Sequence, residues 1–201
     1  AKDFNYQEQF EDVSYGTSIT TTTETAVANP ASAKWLVPSG PVSDWNTADF
    51  DDSNWASGST GFGYELSTGY GPYISQSGNV QAQMSNLNAT LYLRIPFEIT
   101  DPETIADLQL NMLFDDGFIA WINGQPVASS REPLTPAWNS EASNFHADTL
   151  AIIPEQFSAS AGITSLVAGE NILAIQGLNW GIDSSDFLIL PELLVFKADP
   201  A

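Results

Sequence analysis

Leu91, Leu93, Ile95, Phe97 and Ile99 alternate with Tyr92, Arg94, Pro96 and Glu98, a period of two that predicts a strand with one apolar and one wet face. Leu108, Leu110, Met112 and Phe114 repeat that period and predict a second core strand, which runs into Asp115-Asp116-Gly117. Beyond this acidic turn, Phe118, Ala120 and Ile122 share one face of a third strand, and Ile119 and Trp121 share the other. Asn123-Gly124 then supplies the dipeptide best suited to the positive φ angles of a two-residue type I′ turn. The chain must reverse there into Gln125-Pro126-Val127-Ala128, where Pro126 suits an edge or irregular strand. Ile172 to Leu178 and Phe187 to Phe196 read as two more strands, the last with Pro191 marking a bulge or strand change.

The segments between these strands are long and turn-rich. Residues 17–28, rich in Thr, suit an early exposed strand or an extended lead-in. From Lys34 to Trp55 the chain is broken by Pro38, Gly40, Pro41 and several Asp and Asn residues, which implies turns. Residues 58–74 are glycine-rich and carry Phe62, Tyr64, Tyr70 and Tyr73, the pattern of a long structured loop. Asp101-Pro102-Glu103 predicts one helical turn with Asp101 as its cap. Residues 129–148 form a polar excursion containing Arg131, Trp138 and His146, and 154–170 a short helical or irregular turn. There is no internal repeat and no interdomain linker. The expected architecture is all-β: a single jelly-roll β-sandwich of two antiparallel sheets with long loops over residues 31–201, behind an N-terminal lead-in strand or linker over 1–30.

Composition narrows the partners. Five Lys plus Arg against 25 Asp plus Glu give a formal charge of −20. Such a chain has no basic footprint for displacing counterions from phosphates, so nucleic acid is excluded as a partner. Anionic membrane surfaces are disfavoured for the same reason, and no run of about 18 apolar residues predicts insertion. Acid excess also offers carboxylates to calcium, although most such acids in any protein are solvated surface. With no cysteine, disulfides and thiolate metal sites are impossible. The N-terminus, Ala-Lys-Asp-Phe-Asn-Tyr, has no apolar signal core and reads as the start of a mature domain, part of a larger multidomain chain.

Several segments in sequence carry a family resemblance. They are Trp35…Trp45…Phe50-Asp51-Asp52-Ser53-Asn54-Trp55, Leu91-Tyr92-Leu93-Arg94-Ile95-Pro96-Phe97, Asp115-Asp116-Gly117…Ile122-Asn123-Gly124, Leu166…Gly169-Glu170-Asn171-Ile172-Leu173-Ala174-Ile175, and Ser185-Asp186-Phe187. Together, over roughly residues 35–196, they resemble galactose-binding-like jelly-roll domains, and among these the non-catalytic modules of secreted multidomain bacterial proteins and of chains bearing glycoside hydrolases. The resemblance implies a β-sandwich that binds carbohydrate through loops at one end, with a structural calcium, in a secreted or surface location. It also implies that a carboxylate on the last strand, here Glu192, completes a calcium site with the turn that carries Asp49, Asp51, Asp52 and Asn54.

The residues themselves supply the chemistry for sugar. A pyranose presents polarised C–H groups that stack on an aromatic face, while polar neighbours fix its hydroxyls. Trp180 stands in the loop before the last strand between Asn179 and Asp183; Trp138 stands in the 129–148 excursion with Arg131 and Asn139; Tyr64 and Tyr70 lie beside Glu65. Arg131 could grip a hydroxyl pair or a uronic carboxylate bidentately, or pair with Glu132, Glu141 or Asp148. A loop Trp can as readily pack over the open end of a core, and Trp35, Trp45 and Trp55 read as such lids, with Trp121 packed in its strand. Asp51, Asp52 and Glu192 are the expected oxygen ligands for calcium. Asp115-Asp116-Gly117 is a second candidate, or else a turn whose carboxylates cap backbone amides.

Enzyme chemistry has little to stand on. The one histidine, His146, has no visible partner and reads as a surface residue, and no nucleophile elbow, His-Glu-x-x-His or phosphate-binding loop occurs. The expected function is a non-catalytic module that tethers a larger protein to a polysaccharide. The rivals are a structural or adhesion module without a sugar ligand and, behind it, a glycan-active enzyme built on a carboxylate pair.

Overall fold

The computed structural model describes residues 21–67 and 69–198. Residues 1–20 of the expected lead-in lie outside the described residues. The described strands are, in chain order, β1 (Thr21–Val27), β2 (Ser32–Leu36), β3 (Ala56–Ser59), β4 (Phe62–Glu65), β5 (Thr90–Ile99), β6 (Ile105–Asp115), β7 (Gly117–Ile122), β8 (Gln125–Ser130), β9 (Glu155–Ser158), β10 (Gly169–Leu178) and β11 (Asp186–Ala198). Single helical turns α1 (Gln81–Met84) and α2 (Asp148–Ala151) and four short 3₁₀ segments punctuate the connections.

The strands form two antiparallel sheets packed face to face. One has the order β1-β11-β6-β9 with β4 also on β11; the other runs β3-β2-β5-β10-β7-β8. Within them, β4-β11-β6-β9 faces β5-β10-β7-β8, which is the jelly-roll order of two interlocked Greek keys; β1, β2 and β3 extend the edges. The inward faces match the alternation of the sequence. Leu91, Leu93 and Ile95 from β5, Leu108, Leu110, Met112 and Phe114 from β6, and Phe118, Ala120 and Ile122 from β7 all bury in one central core. Asn123 and Gly124 adopt φ of 49° and 87°, as the type I′ corner requires.

Two local readings change, and one of two alternatives is settled. Residues 58–74 contain β3 and β4 rather than one long loop. Gly63 is why β4 can lie so close: a Cβ there would run into the Phe187 carbonyl of β11. Residues 154–170 include β9, an edge strand on β6 that is too short to show a period. For Pro191, the strand change holds and the bulge does not. The proline pairs in register with Met112, and it stands between the stretch of β11 that pairs with β4 (residues 186–189) and the stretch that pairs with β1 (193–198). Pro191 thus falls at the gap along that edge.

The largest departure concerns the outer faces. Tyr92 and Arg94 were expected to be wet; both are buried, because the 37–55 segment folds down over the six-stranded sheet. Arg94 holds that segment in place. Its Nε donates to Asp52 Oδ2 at 2.7 Å, Nη1 to the carbonyls of Trp45 (2.7 Å) and Thr47 (2.6 Å), and Nη2 to those of Ala48 (3.4 Å) and Phe50 (3.3 Å). Every guanidinium arm is therefore occupied, which is the condition for burying the charge. Above it Trp45 stacks on Tyr92 with centroids 4.0 Å apart and planes 9° from parallel, and Trp55 extends the stack. On the other sheet, Tyr70, Leu188, Leu190 and Ala151 make a smaller outer cluster.

Removing the guanidinium leaves a carboxylate and four carbonyls without their partner under a packed lid. Arg94→Met is expected to destabilise by about 3–5 kcal/mol, a fall in Tm of roughly 10 °C. Arg94→Lys should recover only part, because an ammonium cannot span five acceptors. A melting curve unchanged in Arg94→Met would show that aromatic packing alone secures the 44–52 loop.

Candidate functional site

At one end of the sandwich, β10 leaves the sheet at Leu178 and returns as β11 at Asp186, and the loop between them is braced from below. Asn179 is buried: its Nδ2 donates to the Tyr64 hydroxyl (3.0 Å) and the Asp186 carbonyl (2.9 Å). The Tyr64 hydroxyl in turn donates to the Ser184 carbonyl at 3.1 Å, and Ser184 Oγ to Asp186 Oδ1 at 3.1 Å. Asp116, at the β6–β7 corner, is the central brace. Its Oδ2 accepts from the Trp180 N–H and its Oδ1 from the His146 N–H, both at 2.7 Å. One carboxylate therefore fixes two loops that are distant in sequence, through charge-assisted bonds.

These bonds turn two rings outward. Trp180 is 56% exposed, and Phe145, also exposed, lies beside it with centroids 5.5 Å apart. Trp180, Gly181, Asp183, Ser184 and Ser185 line an open recess of about 420 Å³. An indole face, an exposed carboxylate and two hydroxyl-bearing residues thus share one small surface.

The expected site residues fall into three groups. Trp180 and Asp183 come together in this recess. Trp138 lines a different recess, on the outer face of the six-stranded sheet, and does not reach Trp180's. Arg131 lines neither: its guanidinium carbon lies 5.6 Å over the Phe114 ring and Nη1 donates to Ser130 Oγ, so it is drawn toward an aromatic core residue rather than toward the acids expected to pair with it. Two expectations are corrected. Tyr70 is 1% exposed, packed under Leu188 and Leu190, so it offers no face to a ligand. Asn179 cannot reach a sugar either, because its amide is spent bracing the loop. The tyrosine and the asparagine looked like surface residues only because their loops are turn-rich. His146 is likewise buried: Nδ1 donates to the Phe114 carbonyl at 2.9 Å, and Nε2 lies 3.1 Å from Glu155 Oε1.

The donor set expected for calcium does not assemble. Asp52 is committed to Arg94 over the outer face of the six-stranded sheet, with Asp51 exposed beside it. Hydrogen bonds from Ser53 hold the Asp51 carboxyl below its ordinary pKa. Glu192 projects from the outer face of the opposite sheet, where it accepts from Asn111 Nδ2 at 2.8 Å. The thickness of the sandwich separates them, so these residues do not fit one cation, and no group of three or more acidic or histidine side chains among the described residues is placed to hold a metal. Asp116 has the other role foreseen for its turn, accepting backbone amides.

Beneath the shelf lies a buried acidic group. Asp115, Asp116 and Asp186 are all interior, and the Tyr70 hydroxyl and Asp115 Oδ1 are buried without a hydrogen-bond partner among the described residues. Burial first, and then the charge of Asp116, push the Asp115 carboxyl up to about 9, so it is neutral at pH 7. Burial pushes the Asp186 carboxyl up as well, and the Tyr64 phenol up to about 12.

Asp115 gives a pH signature. The folded chain keeps its proton to about 9, whereas the unfolded chain releases it near pH 4, at about 3.9. The native state thus binds more protons across that window, and stability falls as pH rises through it. Asp115→Asn should gain on the parent steadily from pH 4.5 to 8.5 in denaturant unfolding; an equal gap between the two proteins at both ends would show that Asp115 is ionised in the fold. No helix among the described residues is long and apolar enough to cross a membrane.

No protein-family model matches the chain, and no curated protein matches it. Solved structures do share its fold. Bacteroides uniformis β-glucuronidase 2, covalently bound to cyclophellitol-6-carboxylate aziridine, aligns at 16% identity over 88% of this chain and 18% of its own, with a TM-score of 0.52. A glycosyl hydrolase family 2 member from Bacteroides cellulosilyticus aligns at 12% identity over 87% of this chain and 20% of its own, with a TM-score of 0.51. A β-glucuronidase from an uncultured Clostridium species aligns at 8% identity over 94% and 31%, with a TM-score of 0.52. The chain therefore spans less than a third of the length of each. At such identities the shared property is the fold: an all-β sandwich that these proteins carry as one part of a longer chain.

Proposed function

We propose that this chain is a non-catalytic carbohydrate-binding module of the galactose-binding-like kind, which tethers a secreted or surface multidomain bacterial protein to a polysaccharide. The observation that carries this reading is Trp180: a large ring more than half exposed on a loop braced at Asn179, Trp180 and Ser184, over a recess that also holds Asp183, Ser184 and Ser185. An exposed indole offers a flat apolar face on which the C–H groups of a pyranose can stack, while its ring nitrogen can donate to a hydroxyl. The rigidity matters equally, since a platform already in its bound conformation loses little entropy on binding. By name, the solved structures that share the fold are β-glucuronidases and a glycosyl hydrolase, which supports a setting near glycan chemistry.

The recess also indicates the sugar class. Asp183 supplies a carboxylate, Arg131 is engaged elsewhere, and the chain carries −20. A uronic acid would meet repulsion without a compensating cation, so the ligand is a neutral sugar whose paired hydroxyls donate to Asp183. The module does no chemistry of its own; it raises the local concentration of whatever it is joined to.

A second reading has its own observation. Ile182 is exposed in the same loop, Leu87 is exposed next to Asn86, whose N–H donates to the Ile182 carbonyl at 2.6 Å, and Phe145 adds a third apolar side chain. Such a rim also suits a neighbouring protein domain.

Sugar binding separates the two. On affinity gels with a panel of neutral polysaccharides, the parent should be retarded by at least one, and Trp180→Ala should weaken binding at least about tenfold, or roughly 1.4 kcal/mol. Retardation by none, or equal retardation of parent and variant, would leave the domain-contact reading in possession. Asp183→Asn should weaken binding with Tm unchanged. Asp116→Ala should weaken binding and also cost on the order of 3 kcal/mol of stability, since it removes two hydrogen bonds to a charged group.

A further inference from the structure

The outer face of the six-stranded sheet carries a second recess, of about 340 Å³, whose walls include Val42, Trp45, Tyr92, Trp121, Trp138 and Gln176. Its floor is the Trp45–Tyr92 stack, both rings buried. Trp121 meets Trp45 edge-on, with centroids 5.5 Å apart and planes at 78°, and half-buried Trp138 forms the opposite wall. Polar character comes from Gln176, which is buried and donates through Nε2 to the Ala137 carbonyl at 2.8 Å, so that one amide nitrogen is fixed and its oxygen is free to accept. In a chain with 25 acids, none of these walls carries a charge.

That combination selects an uncharged ligand with one apolar face and hydroxyls at its edge. It has the size of known small-ligand sites, with aromatic walls and a single well-placed polar group. The recess is also coupled to the Trp180 shelf. The excursion that places Trp138 in it carries Phe145 against Trp180, and three bonds pin that excursion between the two: the Thr90 hydroxyl to the Ser140 carbonyl (2.8 Å), Ala142 N–H to the Asn179 carbonyl (2.8 Å) and Ser143 N–H to the Arg131 carbonyl (2.8 Å). Gln176 precedes Trp180 by four residues, a separation on the order of 13 Å at the rise of a strand. Resting on the sugar-binding reading of the Trp180 shelf, we infer that the sheet-face recess is a second subsite for a neutral pyranose, and that one polysaccharide chain occupies both. The module then recognises chain interiors, and length of ligand, not the chemistry of a chain end, sets its affinity.

Two sites on one ligand multiply rather than add, because the second contact is intramolecular once the first is made. The test compares a long neutral polysaccharide that retards the parent with a two-unit oligosaccharide of the same sugar, by calorimetric titration. Trp138→Ala removes one wall; Val42→Glu puts a charge in the recess while leaving every ring in place, and guards against a variant that merely loosens the excursion. Both should weaken long-chain binding by about tenfold or more and leave the short ligand, which the Trp180 shelf holds alone, at its parental affinity. Trp180→Ala should abolish short-ligand binding. If both recess variants bind the long chain as the parent does, the second subsite is refuted while the shelf stands. If the parent binds no polysaccharide, shelf and subsite fall together.

Discussion

A single buried guanidinium organises one whole side of this molecule. Arg94 stands on β5 where a strand would normally meet water, and its five donors meet one carboxylate and four carbonyls, all from residues 45–52. Four of the five acceptors are neutral, so the arrangement is less an ion pair than a hydrogen-bond hub with one counter-charge. Desolvating the cation is expensive, and only full occupancy of its donors offsets that cost. The consequence is positional: gripping the Trp45 carbonyl sets that ring flat on Tyr92, and the stack becomes the floor of an aromatic recess. Without the hub, the same rings would be apolar side chains on a loop of turn-formers.

Asp116 does the corresponding work at the end of the sandwich with the opposite sign. Its two oxygens are divided between the amides of His146 and Trp180. The neighbouring Asp115 stays neutral first because burial disfavours its ionised form, and then because of the carboxylate beside it. One acid thus accepts the loop amides while its neighbour keeps a proton. In both places a buried charged group ties long loops to a strand and so converts flexible connections into a fixed surface. This is how a scaffold dominated by loops can present aromatic rings rigidly.

The sequence showed the sandwich clearly because each inward face is written locally, in alternation along β5, β6, β7 and β10, and the Asn123-Gly124 corner is specified by two residues. It hid what covers the outer faces. Tyr92 and Arg94 alternate out of the core as expected, but whether that side is wet depends on residues some forty positions away. Tyr70, Asn179 and His146 share that fault: each lies in a segment of turn-formers, and turn chemistry reports backbone conformation, not solvent access. Glu192 and Asp52 were separated for a related reason, since period two gives a side chain's face but not which sheet a loop will fold over. β9 is four residues long and offers no period to detect. The exposure of Trp180 was legible because its signal is chemical: an aromatic among short polar residues in a connection between two strong strands. The Arg94 hub does leave a signal: an Arg between Leu93 and Ile95 in a chain with only five cations points to a specific partner.

Charge then acts through exclusion more than attraction. With 25 acids on a chain of this size, polyanions are repelled from every direction, and a neutral glycan is not. On the proposed reading neither recess needs a long-range field to recruit a neutral sugar, and recognition would rest on contact: ring against C–H face, amide and carboxylate against hydroxyl. Contact-based recognition of this kind survives high salt, where electrostatic steering is screened. The two structurally decisive side chains, Arg94 and Asp116, are buried under loops rather than exposed in the recesses, so each spends its hydrogen bonds on shaping a surface. On the proposed reading, an exposed charge in their place would bias that surface toward charged ligands.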